Sequence, residues 1–257
     1  MTASRFHVPG FLLIATFLFA ACGNSKQIVY FQDIDNARPA LHDTPYEAVI
    51  RPNDNLHITV TSPVQPQAID MFNTLNNTAN ANMQALAIQG YIVDNEGNIN
   101  FPGLGKVHLG GLTKNAAIDS LQKQISKYVT DPVTVNIRFL NYRITVLGEV
   151  NRAGTYIVEN EKITLLEALG LAGDLTIYGK RNNVLIYREV DGKLHFHRVD
   201  LTSSKLFESD YFFLQQNDLI YVQPNKAKTG SSIYNQNISV GMSLLSILVS
   251  VISLLAR

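Results

Sequence analysis

The last apolar stretch of this chain, residues 238–256, contains no charged side chain. A helix over this stretch, rising about 1.5 Å per residue, reaches roughly 28 Å, which is close to the roughly 30 Å hydrocarbon core of a bilayer. We therefore expect a C-terminal transmembrane helix over residues 238–257, joined to the rest of the chain by a linker at residues 226–237.

Serines recur along this segment at steps of four, three, four and three residues, so that on a helix they all fall on one side. They are Ser239, Ser243, Ser246, Ser250 and Ser253. Helices packed in a ring can place such small hydroxyl side chains against a neighbour or a water-filled lumen, so the stripe predicts a polar face of the membrane helix. The alternative is a simple anchor, because a serine hydroxyl can also bond a backbone carbonyl of its own helix.

The opposite end of the chain, residues 1–21, has the features of an export signal. Arg5 lies in a short polar start, an apolar run follows, and two alanines precede Cys22, the chain's single cysteine. The segment before Cys22 resembles the bacterial lipoprotein signal, which implies acylation of that thiol and a lipidated tether at residues 22–45. Gly23 stands where an Asp tends to retain such lipoproteins at the inner membrane, so transport to the outer membrane is expected. An ordinary secretory signal is the alternative.

The charge balance excludes one class of partner. Lys and Arg together number 21, and Asp and Glu also number 21, so the chain has no net charge. Binding to nucleic acid depends on a basic surface that neutralises phosphates. We therefore expect no nucleic-acid partner.

Residues 46–140 form the first of two predicted globular units. Leu56, Ile58 and Val60 alternate with polar residues, which predicts a half-buried strand, and an Asn/Gly turn within residues 90–103 predicts a hairpin. A helix is expected from Thr113, a suitable N-cap, to about residue 129, and residues 133–139 alternate as a further strand. The first unit is therefore expected to be α+β and rich in strands.

Residues 141–225 form the second unit. Two runs around an Arg-Ala-Gly turn at residues 152–154 predict one hairpin, and Asp191-Gly192 predicts another. Between them, Thr164 and Glu167 make a capping box for a short helix that Gly173 can end in a left-handed conformation. A last strand is expected at residues 219–222. Two hairpins around one helix suggest a β-grasp domain.

No pattern of catalytic or cofactor-binding residues occurs in the chain. It has no Gly-x-Ser-x-Gly elbow, no His-Glu-x-x-His and no phosphate-cradling loop. His195 and His197 are the best metal candidates, but two imidazoles without a third ligand are more typical of a solvated hairpin. We expect no catalytic residue, no metal and no cofactor, and therefore no enzyme.

The ordered set of motifs resembles the Wza-type polysaccharide export proteins. In the first unit the similarity lies in residues 46–56, the hairpin at residues 90–105, the turn at residues 110–113 and the run at residues 131–135. In the second unit, residues 146–156, 164–169 and 217–222 resemble the soluble-ligand-binding β-grasp domain that adjoins the export domain in this family. The chain departs from the family pattern at Asn53 and Asp174, where Gly is commoner, and at Ala153, where Pro is commoner.

This resemblance implies a function and a location. A homo-oligomer ring would enclose a lumen in the periplasm, with its C-terminal helices crossing the outer membrane, and capsule or exopolysaccharide would pass through it. The expected partners are the polysaccharide, outer-membrane lipid, and an inner-membrane chain-length copolymerase or tyrosine kinase. The protein would be lipid-anchored to the outer membrane with its domains in the periplasm. The alternative is a monomeric glycan-binding periplasmic lipoprotein.

Overall fold

The computed structural model describes residues 28–36, 46–64, 66–73, 90–190 and 192–232, together with nine positions between 240 and 251. The expected signal peptide, Cys22, Ser239 and Ser253 lie outside these residues, as does most of an Asn-rich stretch at residues 73–84. Within them the chain is a mixed α and β protein with several sheets and few helices, as the sequence predicts.

The first unit contains a three-stranded antiparallel sheet, a separate hairpin and one α-helix. Its elements are β1 (Asn55–Thr61), β2 (Tyr91–Ile92), β3 (Asn98–Phe101), β4 (Gly105–His108), α1 (Lys114–Ile125) and β5 (Thr134–Phe139). The order in the sheet is β2-β1-β5, and six consecutive residue pairs join β1 to β5. A 3-10 helix, Pro66–Phe72, follows β1. The expected strand at residues 56–60 is confirmed, with alternate residues buried.

The expected hairpin across residues 90–103 is wrong in its pairing. The turn itself is present, because Gly97 has a φ of 82° and its N–H donates to the Asp94 carbonyl over 3.0 Å. However, β2 pairs with β1, and β3 pairs with β4 through a second turn at Gly103. The sequence could not show this, because the partner of β2 lies more than thirty residues earlier in the chain.

Helix α1 confirms the helix expected from Thr113. The Thr113 hydroxyl accepts a hydrogen bond from the Ala116 N–H over 3.3 Å, which satisfies one of the donors left open at a helix start. Ala117, Leu121 and Ile125 are fully buried on one face of the helix, which packs on β5. The helix ends at Ile125, four residues before the expected end, and a turn carries the chain to Val129.

The second unit is a five-stranded sheet with a short helix on one face. Its elements are β6 (Arg143–Gly148), β7 (Gly154–Ile157), β8 (Ile163–Thr164), α2 (Leu165–Leu171), β9 (Gly179–Val190), β10 (Lys193–Val199), β11 (Phe213–Leu214) and β12 (Leu219–Pro224). The sheet order is β10-β9-β12-β6-β7, with β12 parallel to β6 and every other pair antiparallel. Strands β8 and β11 form a small separate pair. Both expected hairpins and the last strand are confirmed, as is the β-grasp arrangement.

Local signals around α2 are also confirmed. The Thr164 hydroxyl accepts from the Glu167 N–H, and the Glu167 carboxylate accepts from the Thr164 N–H over 2.7 Å, which completes the capping box. Gly173 follows the helix with a φ of 75°. Asp174 then adopts a φ of 68°, so this position is left-handed although Gly is absent. Asn53 does the same in the first unit, with a φ of 68°. Asn and Asp tolerate this conformation better than other non-glycine residues. Asn53 and Asp174, which stand where the family more often has Gly, therefore keep the same turn conformation.

One contiguous hydrophobic core runs through both units. Tyr142, the first buried residue of the second unit, is 1% exposed, and its ring meets that of Phe139 edge-on with centroids 6.0 Å apart. Because the apolar contacts continue across the junction, the two units are packed as one body rather than joined by a loose linker.

The C-terminal part holds a short helix, α3 (Lys226–Ser232), and the nine described positions between 240 and 251 are also helical. The apolar side chains described there, which include Leu244, Ile247 and Leu248, are more than half exposed. Within the described residues, no helix reaches the length and apolarity that crossing a membrane requires.

Candidate functional site

The N-terminal segment described at residues 28–36 lies on the second unit and not on the first, although the first follows it in sequence. The Phe31 N–H donates to the Leu201 carbonyl over 3.1 Å, and the Gln32 N–H donates to the Thr202 carbonyl over 2.8 Å. The Phe31 ring also packs against Phe207 with centroids 4.9 Å apart. We call residues 28–36 the N-terminal strap. These residues belong to the segment that the sequence predicts as a lipidated tether at residues 22–45, and this part of it is docked on the second unit.

Polar contacts fix both halves of the strap. The Asp33 carboxylate accepts hydrogen bonds from the Ser204 N–H over 2.6 Å and from the Ser203 hydroxyl over 2.8 Å. These bonds, the backbone one first, lower the pKa of the Asp33 carboxyl below its usual value. The Tyr30 hydroxyl donates to Asp174, and burial, with help from this carboxylate, raises the Tyr30 pKa. The strap is therefore held by charged and neutral hydrogen bonds at both ends.

The start of α3 is anchored beside the strap. The Asn225 N–H donates to the Tyr178 carbonyl over 2.7 Å, and the Asn225 side chain accepts from the Lys228 N–H over 3.0 Å, as an N-cap does. The Lys228 ammonium lies 5.2 Å from the centroid of the Tyr178 ring and 3.8 Å from a Glu149 carboxylate oxygen. The chain thus leaves the second unit towards residues 238–256 from a fixed point.

A cavity of about 540 Å³ lies between the strap, the start of β9 and the start of α3. We call it the strap cavity. Its lining residues are Ile28, Gln32, Ile177, Gly179, Lys180, Arg181, Asn182, Thr202, Asn225, Lys226 and Ala227. None of these residues is acidic, and three are cationic. The cavity therefore combines positive charge, amide groups and two exposed isoleucines, Ile28 and Ile177.

Arg181 is the buried member of this group, with 4% of its surface exposed. Its terminal N–H groups donate to the carbonyls of Thr176, Gly179 and Leu175 over 2.9, 3.0 and 3.3 Å. Its Nε has no hydrogen-bond partner, and no described carboxylate lies within ion-pair distance of it. Three backbone carbonyls and the Tyr30 ring, whose centroid lies 5.7 Å from the guanidinium carbon, thus surround this buried positive charge.

A second polar cluster joins the two units. Glu161, which has a φ of 56°, accepts from the Phe139 N–H over 2.9 Å and pairs with the Lys114 ammonium over 2.6 Å. The hydroxyls of Tyr46 and Tyr142 are 2.7 Å apart. These contacts link residues more than twenty positions apart in sequence, so single-sequence patterns gave no signal for them.

Arg51 and its turn complete this junction. The Arg51 guanidinium donates to the Glu189 carbonyl over 3.0 Å and to the Gln215 side chain. Asp54, buried beneath it, accepts the Arg51 N–H over 2.8 Å through one oxygen, while its Oδ1 has no partner. Burial raises the pKa of the Asp54 carboxyl to about 7.

The second unit also contains a buried ion pair that the sequence analysis did not identify. Arg188 binds the Asp218 carboxylate through two nitrogens, the shortest contact being 2.6 Å, and both side chains are nearly inaccessible. Tyr211 covers the Arg188 guanidinium at 4.5 Å. Arg188 lies within the apolar strand β9 and Asp218 directly precedes β12, but their pairing depends on the register of β9 with β12, which the sequence does not show.

His195 and His197, the metal candidates of the sequence, both lie on β10. The His197 ring stacks on Tyr211 with centroids 4.1 Å apart and planes nearly parallel. Across the described part of the chain, no group of three His, Cys, Asp or Glu side chains is placed to hold a metal ion. His197 therefore belongs to the aromatic packing around Arg188.

Of the five stripe serines, Ser243, Ser246 and Ser250 are described. The Ser246 hydroxyl donates to the Ser243 carbonyl, and the Ser250 hydroxyl donates to the Ser246 carbonyl, both over 2.8 Å. These bonds are compatible with the simple-anchor alternative, because a hydroxyl that bonds its own backbone needs no neighbour. Cys22 lies outside the described residues, so its acylation stays a prediction.

Comparison with known proteins identifies both units. Residues 42–139 match the family model described as polysaccharide biosynthesis/export protein, and residues 142–222 match the SLBB domain. The chain is thus an export-domain protein with one β-grasp domain after it. More particularly, the two matches in this order, together with the relatives described below, support a Wza-type polysaccharide export protein.

Two curated relatives are similar to the chain over part of its length. It is 29% identical over 143 residues to the EPS I polysaccharide export outer membrane protein EpsA of Ralstonia solanacearum, covering 54% of this chain and 37% of that protein. It is 34% identical over 108 residues to the protein of the same name from Ralstonia nicotianae, covering 40% of this chain and 28% of the relative. The chain therefore matches only about a third of the length of these relatives.

Proposed function

We propose that this protein exports a capsule or exopolysaccharide across the outer membrane and that it is a transport protein rather than an enzyme. The observation that carries this proposal is the ordered pair of an export domain and an SLBB domain in one packed body. The names of both relatives, which describe outer-membrane export of EPS I polysaccharide, support the location and the substrate class.

The conduit itself is a ring of copies. Acyl chains on Cys22 hold the N-terminus to the outer membrane, residues 238–257 cross it, and the stripe serines face a neighbouring helix or the lumen. The domains occupy the periplasm, as residues 46–140 and 141–225. The sequence contains no phosphate-cradling loop, so this chain does not hydrolyse a nucleotide to power export. The energy for polymer movement comes from polymer synthesis or from an inner-membrane chain-length copolymerase or tyrosine kinase.

The copy number of the full chain tests this proposal. Protein purified in mild detergent should form a discrete ring with cyclic symmetry, visible by electron microscopy and countable by native mass spectrometry. Deletion of residues 238–257 should abolish surface polysaccharide in cells while the truncated protein still accumulates. A monomer that restores export in a deletion strain would contradict the conduit.

The second candidate is a monomeric glycan-binding lipoprotein that uses the C-terminal helix as a second anchor. The hydrogen bonds from Ser246 and Ser250 to their own helix favour it. Replacing both serines with Leu separates the candidates. A conduit whose polar face lines the ring should lose assembly or transport, whereas an anchor should tolerate two added apolar side chains. The exposed Leu244 and Leu248, replaced with Ile, provide the matched control.

A further inference from the structure

The strap cavity has the composition of an anion site. Lys180, Lys226 and the buried Arg181 line it, and no acidic residue does. A buried guanidinium without a carboxylate partner is costly, and an anion bound nearby would lower that cost. Asp174 forms no ion pair with Arg181 among the described residues: it accepts the Tyr30 hydroxyl and the Leu175 N–H, and Arg181 lies over the Tyr30 ring.

The cavity also has an apolar part that a free sugar acid or phosphate does not use. Ile177, which lines it, is 64% exposed, and Ile28 is 45% exposed. Val29 beside them is 53% exposed. Exposed aliphatic side chains next to lysines are typical of surfaces that insert into the headgroup region of a membrane. A ligand that matched both parts of the cavity would carry a negative charge and acyl chains.

The two membrane attachments in the proposed function adjoin, in sequence, the segments that line this cavity. Ile28 is six positions after Cys22 in the chain, so an acylated Cys22 lies at most about 21 Å from the cavity wall. On the other side, Lys226 and Ala227 line the cavity at the start of α3, which leads towards residues 238–256. Two attachments at one point bring this face of the second unit to the bilayer surface.

We propose that the strap cavity binds the headgroup of an anionic phospholipid, with its phosphate between Lys180 and Lys226 and its acyl chains beside Ile28 and Ile177. The site rests on the membrane attachment in the proposed function, but it requires neither a ring nor transport. Arg181 contributes positive charge from below while its N–H groups hold the backbone of the β9 start. The lipid would fix the strap and the start of α3 to one another.

Binding of a soluble lipid to the full chain in an uncharged detergent tests the proposal. Isothermal titration calorimetry with dihexanoyl phosphatidylglycerol should give at least tenfold tighter binding than with dihexanoyl phosphatidylcholine, inorganic phosphate or a glucuronic acid oligosaccharide. The double variant Lys180→Ala/Lys226→Ala should lose at least tenfold of this affinity. Arg181 is left intact, because removing its bonds to three carbonyls would disturb folding.

Lys193→Ala/Lys205→Ala is the charge-matched control, since both lysines are exposed on the same unit outside the cavity. It should bind dihexanoyl phosphatidylglycerol as the unaltered chain does. Equal losses in both double variants, or tighter binding of the oligosaccharide or of phosphate, would overturn the lipid site. A chain that forms rings and exports polymer without binding the lipid would refute this inference alone, whereas a monomeric chain that binds it would refute the ring alone.

Discussion

At the scale of single residues, the burial of Asp54 should make the stability of the fold depend on pH. Its carboxyl has a pKa raised to about 7 by burial, whereas an unfolded Asp titrates near 3.9. Between these values the folded chain binds more protons than the unfolded chain, so the stability due to Asp54 is complete below about pH 4 and falls as pH rises through 7. Asp54→Asn should therefore flatten the pH dependence of the melting temperature over this range. An unchanged slope in Asp54→Asn would contradict this role of Asp54.

The buried ion pair makes a second prediction at this scale. Arg188→Met leaves the Asp218 carboxylate buried without its cation, which should cost about 3–5 kcal/mol of unfolding free energy. Lys106→Met removes the cation of an exposed pair with Asp94, which solvent screens, so it should cost far less than Arg188→Met. Urea unfolding with an unchanged m-value measures both. Equal midpoints for the two variants would show that the buried pair contributes no more than the exposed one.

At the scale of elements, the N-terminal strap should depend on Asp33. Asp33→Ala removes the acceptor for the Ser203 hydroxyl and the Ser204 N–H, and should speed hydrogen exchange of the Phe31 and Gln32 amides. Exchange followed by mass spectrometry of a peptide covering residues 28–36 measures this. Asp35→Ala, in the same segment, is the control and should leave the exchange unchanged. Equal acceleration in both variants would show that the Asp33 hydrogen bonds do not hold the strap in place.

The elements that could be predicted are those whose signals are local. Helix α1 and the capping box at Thr164 follow from a cap and a spacing within a few residues, and the hairpin of β9 and β10 follows from one turn. The pairing of β2 with β1 and the docking of the strap could not be predicted, because they join residues far apart in sequence. The strap cavity forms where three segments that are distant in sequence meet: the strap, the start of β9 and the start of α3. For this reason nothing in the sequence distinguishes Lys180 and Lys226 from other surface lysines.

At the scale of the whole molecule, the shared core and the Glu161 contacts make the two units one cooperative body. The full chain in detergent should unfold in a single calorimetric transition with equal calorimetric and van't Hoff enthalpies for the body. Glu161→Ala leaves the Phe139 N–H without its acceptor and Lys114 without its carboxylate, which should cost about 1–3 kcal/mol.

Glu161→Gln tests the same contact more finely. It keeps an acceptor for the Phe139 N–H but loses the charge that faces Lys114, so its cost should lie between zero and that of the alanine variant. Glu159→Ala, two residues earlier and exposed, is the matched control and should change neither the midpoint nor the shape of the transition. If Glu161→Ala splits the transition in two, this side chain couples the units. If it lowers one sharp transition, the core couples them; no change at all would contradict the role given to Glu161.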